Sequence, residues 1–183
     1  MIRCTSLLAA ALTAAWAVAA QATETQPYAG QDSRGIAALS EDDIAALRAG
    51  EGWGFAKPAE LNGYPGPAHV LDLAEKLSLE PDQEAKIAAI FEAMRSEAVS
   101  LGRDYVAAEA ALDAAFEAGD LSSETLRALV AEAETTRAEL RAVHLAAHLE
   151  TTPLLTRHQR MIYAQARGYG APGGDDHTGH DGH

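Results

Sequence analysis

From Pro81 onward the chain carries one long apolar stripe. Ile87, Ile90, Met94, Ala98, Leu101, Tyr105, Ala108, Leu112 and Phe116 follow one another at steps of three or four. That spacing averages near the helical period, so these side chains share one face of a single helix. Pro81 suits the first turn, where its missing N–H is no loss. Gly119 is placed to end the helix, and Asp120-Leu121-Ser122-Ser123 supplies a short turn with a serine N-cap. A second stripe follows to about Thr151: Leu126, Leu129, Ala133, Thr136, Leu140, Val143 and Ala147. At 1.5 Å per residue the first helix alone spans roughly 55 Å. In a chain of 183 residues, only an extended hairpin accommodates that length. Two long amphipathic helices joined by a short turn pack antiparallel. The predicted fold class is therefore all-α, a long antiparallel helical hairpin flanked by short helices.

The flanks are read from their stop and start signals. Ser40 caps a short helix whose first turn holds Glu41, Asp42 and Asp43 and whose apolar face holds Ile44 and Leu47, and Gly50 ends it. Residues 51–67 are rich in Gly and Pro and read as irregular, yet they contain Trp53, Phe55, Leu61 and Tyr64. So many large apolar groups in one loop imply that it packs on something. Ala68 to Leu77 reads as one short helix. Pro153 ends the second long helix, and Thr156 and Gln159 form a capping box that opens a last one carrying Met161, Ile162 and Ala166. Leu140, Val143, Leu145 and Leu149 cover more than one face, which calls for a third element or a second copy of the chain.

Compartment and chemistry are bounded by the ends of the chain and by its charge. Arg3, the apolar run Leu7–Ala20 and Ala20-Gln21-Ala22 have the form of an export signal, residues 1–22, cleaved near Ala22. The expected organisation continues with a flexible N-terminal arm with one short helix over 23–67, a helical domain over 68–168 and a disordered His/Asp-rich tail over 169–183. The single cysteine, Cys4, leaves with the signal, so the exported chain has no thiolate ligand, disulfide or cysteine nucleophile. A net charge of −13 argues against nucleic acid as a partner. No G-x-S-x-G, P-loop or H-E-x-x-H is present, so no enzymatic activity and no organic cofactor are expected.

Two segments resemble each other. Leu155-Thr156-Arg157-His158-Gln159 has the form L-T-x-x-Q, and Leu79-Glu80-Pro81-Asp82-Gln83 has it with Glu in place of Thr. Each opens a helix. With the export signal and the acidic, alanine-rich helices, the chain resembles the periplasmic LTxxQ (Spy/CpxP/ZraP/CnrX-like) family over about residues 68–168. The resemblance implies a hairpin that pairs into a cradle-like homodimer in the periplasm, without enzymatic activity. It also implies a stress-response role, in chaperoning or in heavy-metal sensing and resistance. Leu79, Gln83, Leu155, Thr156 and Gln159 carry the motif, and helix capping accounts for them. Glu80 is expected to weaken the first copy, because it does not cap as Thr does.

The candidate metal donors are histidines. His144 and His148 stand four residues apart, so their rings leave one helix face a turn apart, a spacing that holds Zn²⁺, Cu²⁺ or Ni²⁺ between two imidazoles. Counting back across the turn places Glu92, Met94 and Glu97 at about their height, with Glu92 and Glu97 as possible additional ligands. The tail offers His177, His180 and His183 among aspartates, a second and independent donor set. His69 and His158 stand alone and read as surface or capping residues. The expected function is binding of divalent heavy-metal ions as a sensor or buffer. The alternative is an ATP-independent chaperone that shields unfolded proteins. A membrane-bound signalling protein is a further expected partner.

Overall fold

The computed structural model describes residues 26–169. The chain divides after Asp32 into two compact units. Of the first, Gln26–Asp32 is described, a pair of tight turns closed by Ala29 N–H to Gln26 O and Gln31 N–H to Tyr28 O.

The regular structure of the second unit's described part is helical, apart from an isolated bridge between Ile36 and Leu39. Its elements are α1 (Glu41–Ala49), α2 (Lys57–Leu61), α3 (Pro67–Asp72), α4 (Ala74–Leu77), α5 (Pro81–Ala118), α6 (Ser123–Thr151) and α7 (Arg157–Ala166), with a 3-10 turn over Thr152–Leu154. The hairpin forms as its local signals dictate. α5 has 38 residues, opens on Pro81 and closes on Gly119 at φ 79°, a left-handed conformation that glycine adopts without steric cost. α6 has 29 residues and begins where the Ser122 hydroxyl accepts the Thr125 N–H at 3.1 Å. Ser40 and Asp43 close a reciprocal capping box on α1.

Three local expectations need correction. Ala68–Leu77 is not one helix: Leu73 stands between α3 and α4 at φ −106° and ψ 15°, outside helical geometry. The stretch 51–67 is not wholly irregular, since Pro58 in the first turn supports α2. The arm over 23–67 packs on the hairpin from Ile36 onward. Ile36, Leu39, Ile44, Leu47 and Phe55 are buried in the main core with Ala98, Tyr105, Val106, Ala108, Ala133 and Leu140 of the hairpin. Their apolar area is withdrawn from water on the hairpin, and that outweighs the absence of regular structure. The Ala37 N–H adds a bond to the Asp113 carboxylate at 3.2 Å.

One backbone contact makes this packing possible. A Cβ on Gly102 would lie 2.8 Å from the carbonyl carbon of Leu47, so α1 crosses α5 where α5 has no side chain. The second core, Val70, Leu77, Ile87, Leu155 and Tyr163, joins α3, α4 and α7 to the base of α5. The end of the hairpin is barely covered: Phe116 is 61% and Val130 40% exposed.

Candidate functional site

The site lies where the Gly-rich loop after α1, the α2–α3 junction and the faces of α5 and α6 meet. They enclose a cleft of about 780 Å³ whose lining includes Trp53, Phe91, Met94, His144, His148 and Tyr169. Trp53 is set by Asp43: its indole N–H donates to that carboxylate at 2.7 Å, and its ring meets Phe55 edge-on at 5.3 Å. These contacts hold Trp53 at φ 40°, a backbone conformation costing a non-glycine residue on the order of 1–3 kcal/mol. The same hydrogen bond, with those from Ser40, keeps the Asp43 carboxyl below its usual range; the Ser40 hydroxyl contributes most.

α6 brings His144 and His148 to this cleft, both more than nine-tenths buried. His148 is anchored at one nitrogen, since its Nδ1 lies 2.8 Å from the Tyr64 carbonyl oxygen. A carbonyl only accepts, so Nδ1 carries the proton and Nε2 keeps the lone pair. Gly66 makes room for this ring, because a Cβ there would come within 2.6 Å of Cε1 and 2.8 Å of Nε2. His144 stacks on Phe55 at 6.1 Å. Its Nε2 is buried without a hydrogen-bond partner. Desolvation by burial, and secondarily the neighbouring His148, push the His144 imidazole below its usual pKa, which favours the neutral, ligating form.

The predicted donors are only partly brought together. The two helical histidines share the cleft, and Met94 lines it with them. Glu92 is exposed on α5 and does not line it. Glu97 faces a separate shallow groove with Val143 and Ala147. The register is right in height, but the helix turns these carboxylates to other sides. Among the described residues no three His, Cys, Asp or Glu side chains gather at one point. His177, His180 and His183 lie outside the described residues. His69, half-buried and 3.6 Å from Asp72, also lines the cleft, and His158 is exposed.

The motif residues do more than cap. Gln83 and Gln159 form a reciprocal amide pair across the base of the hairpin, Gln83 Nε2 donating to Gln159 Oε1 at 3.1 Å and Gln159 Nε2 to Gln83 Oε1 at 3.0 Å. Each amide also donates to a carbonyl of the other's neighbourhood: Gln83 to Leu154 O at 2.6 Å, Gln159 to Leu77 O at 3.3 Å. Each Oε1 also accepts the N–H at its own N-cap, Glu80 or Thr156. Glu80 therefore does not abolish the first box, which closes through Gln83. Leu155 is buried in the second core, and Leu79 packs against it.

Glu60 and Tyr163 complete the region and were not marked by any sequence signal. The Tyr163 hydroxyl donates to the Glu60 carboxylate at 2.9 and 3.0 Å. Burial, and then this carboxylate, raise the Tyr163 hydroxyl far above its ordinary pKa, so it stays protonated and tethers α7 to α2. Only the fold brings together residues so far apart in the chain.

No curated protein and no solved structure matches the chain. A family model described as LTXXQ motif family protein matches residues 68–167. With both L-x-x-x-Q segments opening helices and their glutamines paired, the chain belongs to the LTXXQ motif family.

Proposed function

We propose that this protein is a non-enzymatic periplasmic metal-binding protein, a sensor or buffer that takes one divalent heavy-metal ion, Zn²⁺, Cu²⁺ or Ni²⁺, at His144 and His148. Family membership supports a role of the stress-response or metal-resistance kind. The observation that carries the finer reading is the buried, unpartnered Nε2 of His144, one helical turn from His148. A buried nitrogen without a partner costs about 1–3 kcal/mol, which coordination of an ion would offset. His148 donating its second ring nitrogen to a backbone carbonyl is the usual outer-shell arrangement of a ligating imidazole. Imidazole donors suit these three metals, and the two histidines would supply part of the ion's coordination. The ion would supply the positive charge that changes the local field. The chain's own part is to hold two neutral imidazoles in register and to keep water from His144.

Calorimetric titration of the full chain with Zn²⁺, Cu²⁺ and Ni²⁺ tests this. Binding that disappears in the His144→Gln, His148→Gln variant supports it, and a full chain that takes none of the three overturns it. Affinity should fall at acid pH, because protonated imidazoles do not ligate, and the His144 contribution should be lost only below the ordinary imidazole range.

A specific observation favours chaperoning as a second reading. Leu61, Phe116, Leu149 and Met161 are each more than half exposed, and exposed apolar groups suit unfolded clients or a second copy of the chain. Slower aggregation of a heated client protein, with the effect reduced by Phe116→Ser, is the expected outcome for that role. Among the described residues no helix is long and apolar enough to cross a membrane.

A further inference from the structure

Two imidazoles leave a Zn²⁺ site short of the three or four protein ligands it commonly has. The cleft that holds His144 and His148 has three further candidate donors in its lining, Glu51, Glu60 and His69. They are not equivalent. Glu51 is exposed. His69 is engaged with Asp72, its Nδ1 3.6 Å from that carboxylate. Glu60 is half-buried and meets His148 at a glycine. A Cβ on Gly66 would lie 2.8 Å from His148 Nε2 and 3.1 Å from Glu60 Oε1, so the ring nitrogen and the carboxylate oxygen converge on the space that this residue leaves empty. A side chain there would press on both.

Glu60 is also braced. Both of its oxygens accept from the Tyr163 hydroxyl, at 2.9 and 3.0 Å, and that hydroxyl in turn accepts the Gly66 N–H at 3.4 Å. A single O–H leaves at least half of the roughly four lone-pair sites of a carboxylate open. Among the described residues Glu60 forms no ion pair, the pairs being His69–Asp72 and Arg137–Glu134. A half-buried carboxylate oriented by a neutral donor and lacking a cation matches the outer-shell support of a ligating group. His148 has its own counterpart in the Tyr64 carbonyl.

We propose that Glu60 is the third protein ligand of the ion taken by His144 and His148, with Tyr163 as its positioning residue. The inference rests on the metal reading above and completes its donor set as two imidazoles and one carboxylate, a combination found around zinc. The three donors do not gather at one point in the described structure. Rotation of the Glu60 side chain, carried on the five-residue helix α2, closes the set. Its carboxylate offsets part of the charge of a divalent cation in a partly buried cleft, which two neutral imidazoles do not. Ligation by Glu60 joins α2 to α6. Through the Tyr163 hydroxyl it also reaches α7, the helix that opens on the Thr156 and Gln159 capping box.

Calorimetric titration of the full chain with Zn²⁺, and visible absorption with Co²⁺, test this in the unaltered protein and in Glu60→Gln, Tyr163→Phe and Glu51→Gln. Glu60→Gln keeps an acceptor for the Tyr163 hydroxyl but gives up the anionic ligand. It should weaken Zn²⁺ by more than about a hundredfold and alter the Co²⁺ spectrum, whereas Tyr163→Phe, which removes only outer-shell support, should cost about 10–100-fold. Glu51→Gln removes the same charge from the same cleft and should leave affinity and spectrum unchanged. Unchanged affinity and spectrum in Glu60→Gln overturn the inference. If His144→Gln with His148→Gln then still abolishes binding, the metal reading stands. Equal losses in Glu60→Gln and Glu51→Gln also overturn the inference, because they report charge and not ligation. Binding that survives the double-histidine variant, or an unaltered chain that binds neither ion, overturns both readings. Should Glu60→Gln fail to fold, Glu60→Asp decides: it keeps the charge and withdraws the carboxylate by one methylene, and unchanged Zn²⁺ affinity there overturns the inference.

Discussion

Single residues matter here chiefly where backbone or ring comes too close for a side chain. Gly102 passes under the Leu47 carbonyl, so Gly102→Ala has no side-chain end to push aside and must move α1 itself. It should destabilise by about 1–3 kcal/mol in urea unfolding. Gly52→Ala, which meets nothing within 4 Å, serves as the neutral control. Gly66→Ala should displace the His148 ring, break its bond to Tyr64 and weaken metal binding while leaving the hairpin helical by circular dichroism. His144 makes stability depend on pH. Its folded-state pKa lies below the unfolded value near 6.5, so the unfolded chain binds the proton first. Stability is therefore fully present above about pH 6.5 and declines as pH falls toward the folded value. Unfolding followed at neutral and mildly acidic pH should show that loss, and His144→Gln should flatten it.

At the scale of elements, the two motif copies act as one joint. Local periodicity and capping rules placed α5, α6, α7 and their termini correctly, because each signal lies within a turn of the residue that it affects. Those rules also presented Gln83 and Gln159 as two separate caps. In the fold they share a pair of hydrogen bonds that ties the start of α5 to the start of α7. Removing one amide strands the other, so Gln83→Ala and Gln159→Ala should each cost about 1–3 kcal/mol. The double variant should cost less than the sum by about 0.5–3 kcal/mol. Denaturation of all three variants checks this, and simple additivity would mean that the residues only cap. The same contrast holds for the N-terminal flank. Its apolar residues were evident, but what they cover was not.

For the molecule as a whole, the hairpin has an end that the described residues leave open. Leu112, Leu126 and Leu129 are half-buried there, and Phe116 and Val130 are exposed. We propose that a second copy covers this surface in a cradle-like homodimer. Sedimentation equilibrium at micromolar concentration should give a dimer, and Phe116→Ser with Val130→Ser should give a monomer of unchanged unfolding midpoint in dilute solution. A monomer from the unaltered chain would remove the homodimer and leave the apolar end to clients. For a chain beginning at Thr23, where Trp53 is the only tryptophan, emission should be blue-shifted in the folded state and move red on unfolding, as its packing on Phe55 and Tyr105 requires.

By itself the sequence determined the two long helices, the short helices α1 and α7, their order and the antiparallel hairpin, but not α2 or the break between α3 and α4. Helical hydrogen bonds, caps and apolar periodicity all act over three or four residues, and a short turn leaves two long helices one way to pack. It also marked His144 and His148 as neighbours, since four residues on a helix is a fixed distance. The tertiary structure alone decided what surrounds them. The Tyr64 carbonyl that orients His148, the Phe55 ring on His144, the glycines that allow close approach and the cleft ending at Tyr169 come from segments distant in the chain. It also turned Glu92 and Glu97 away, because equal height on facing helices does not set the direction of a side chain. Contacts of that range depend on which apolar faces bury one another, and no local pattern encodes that choice.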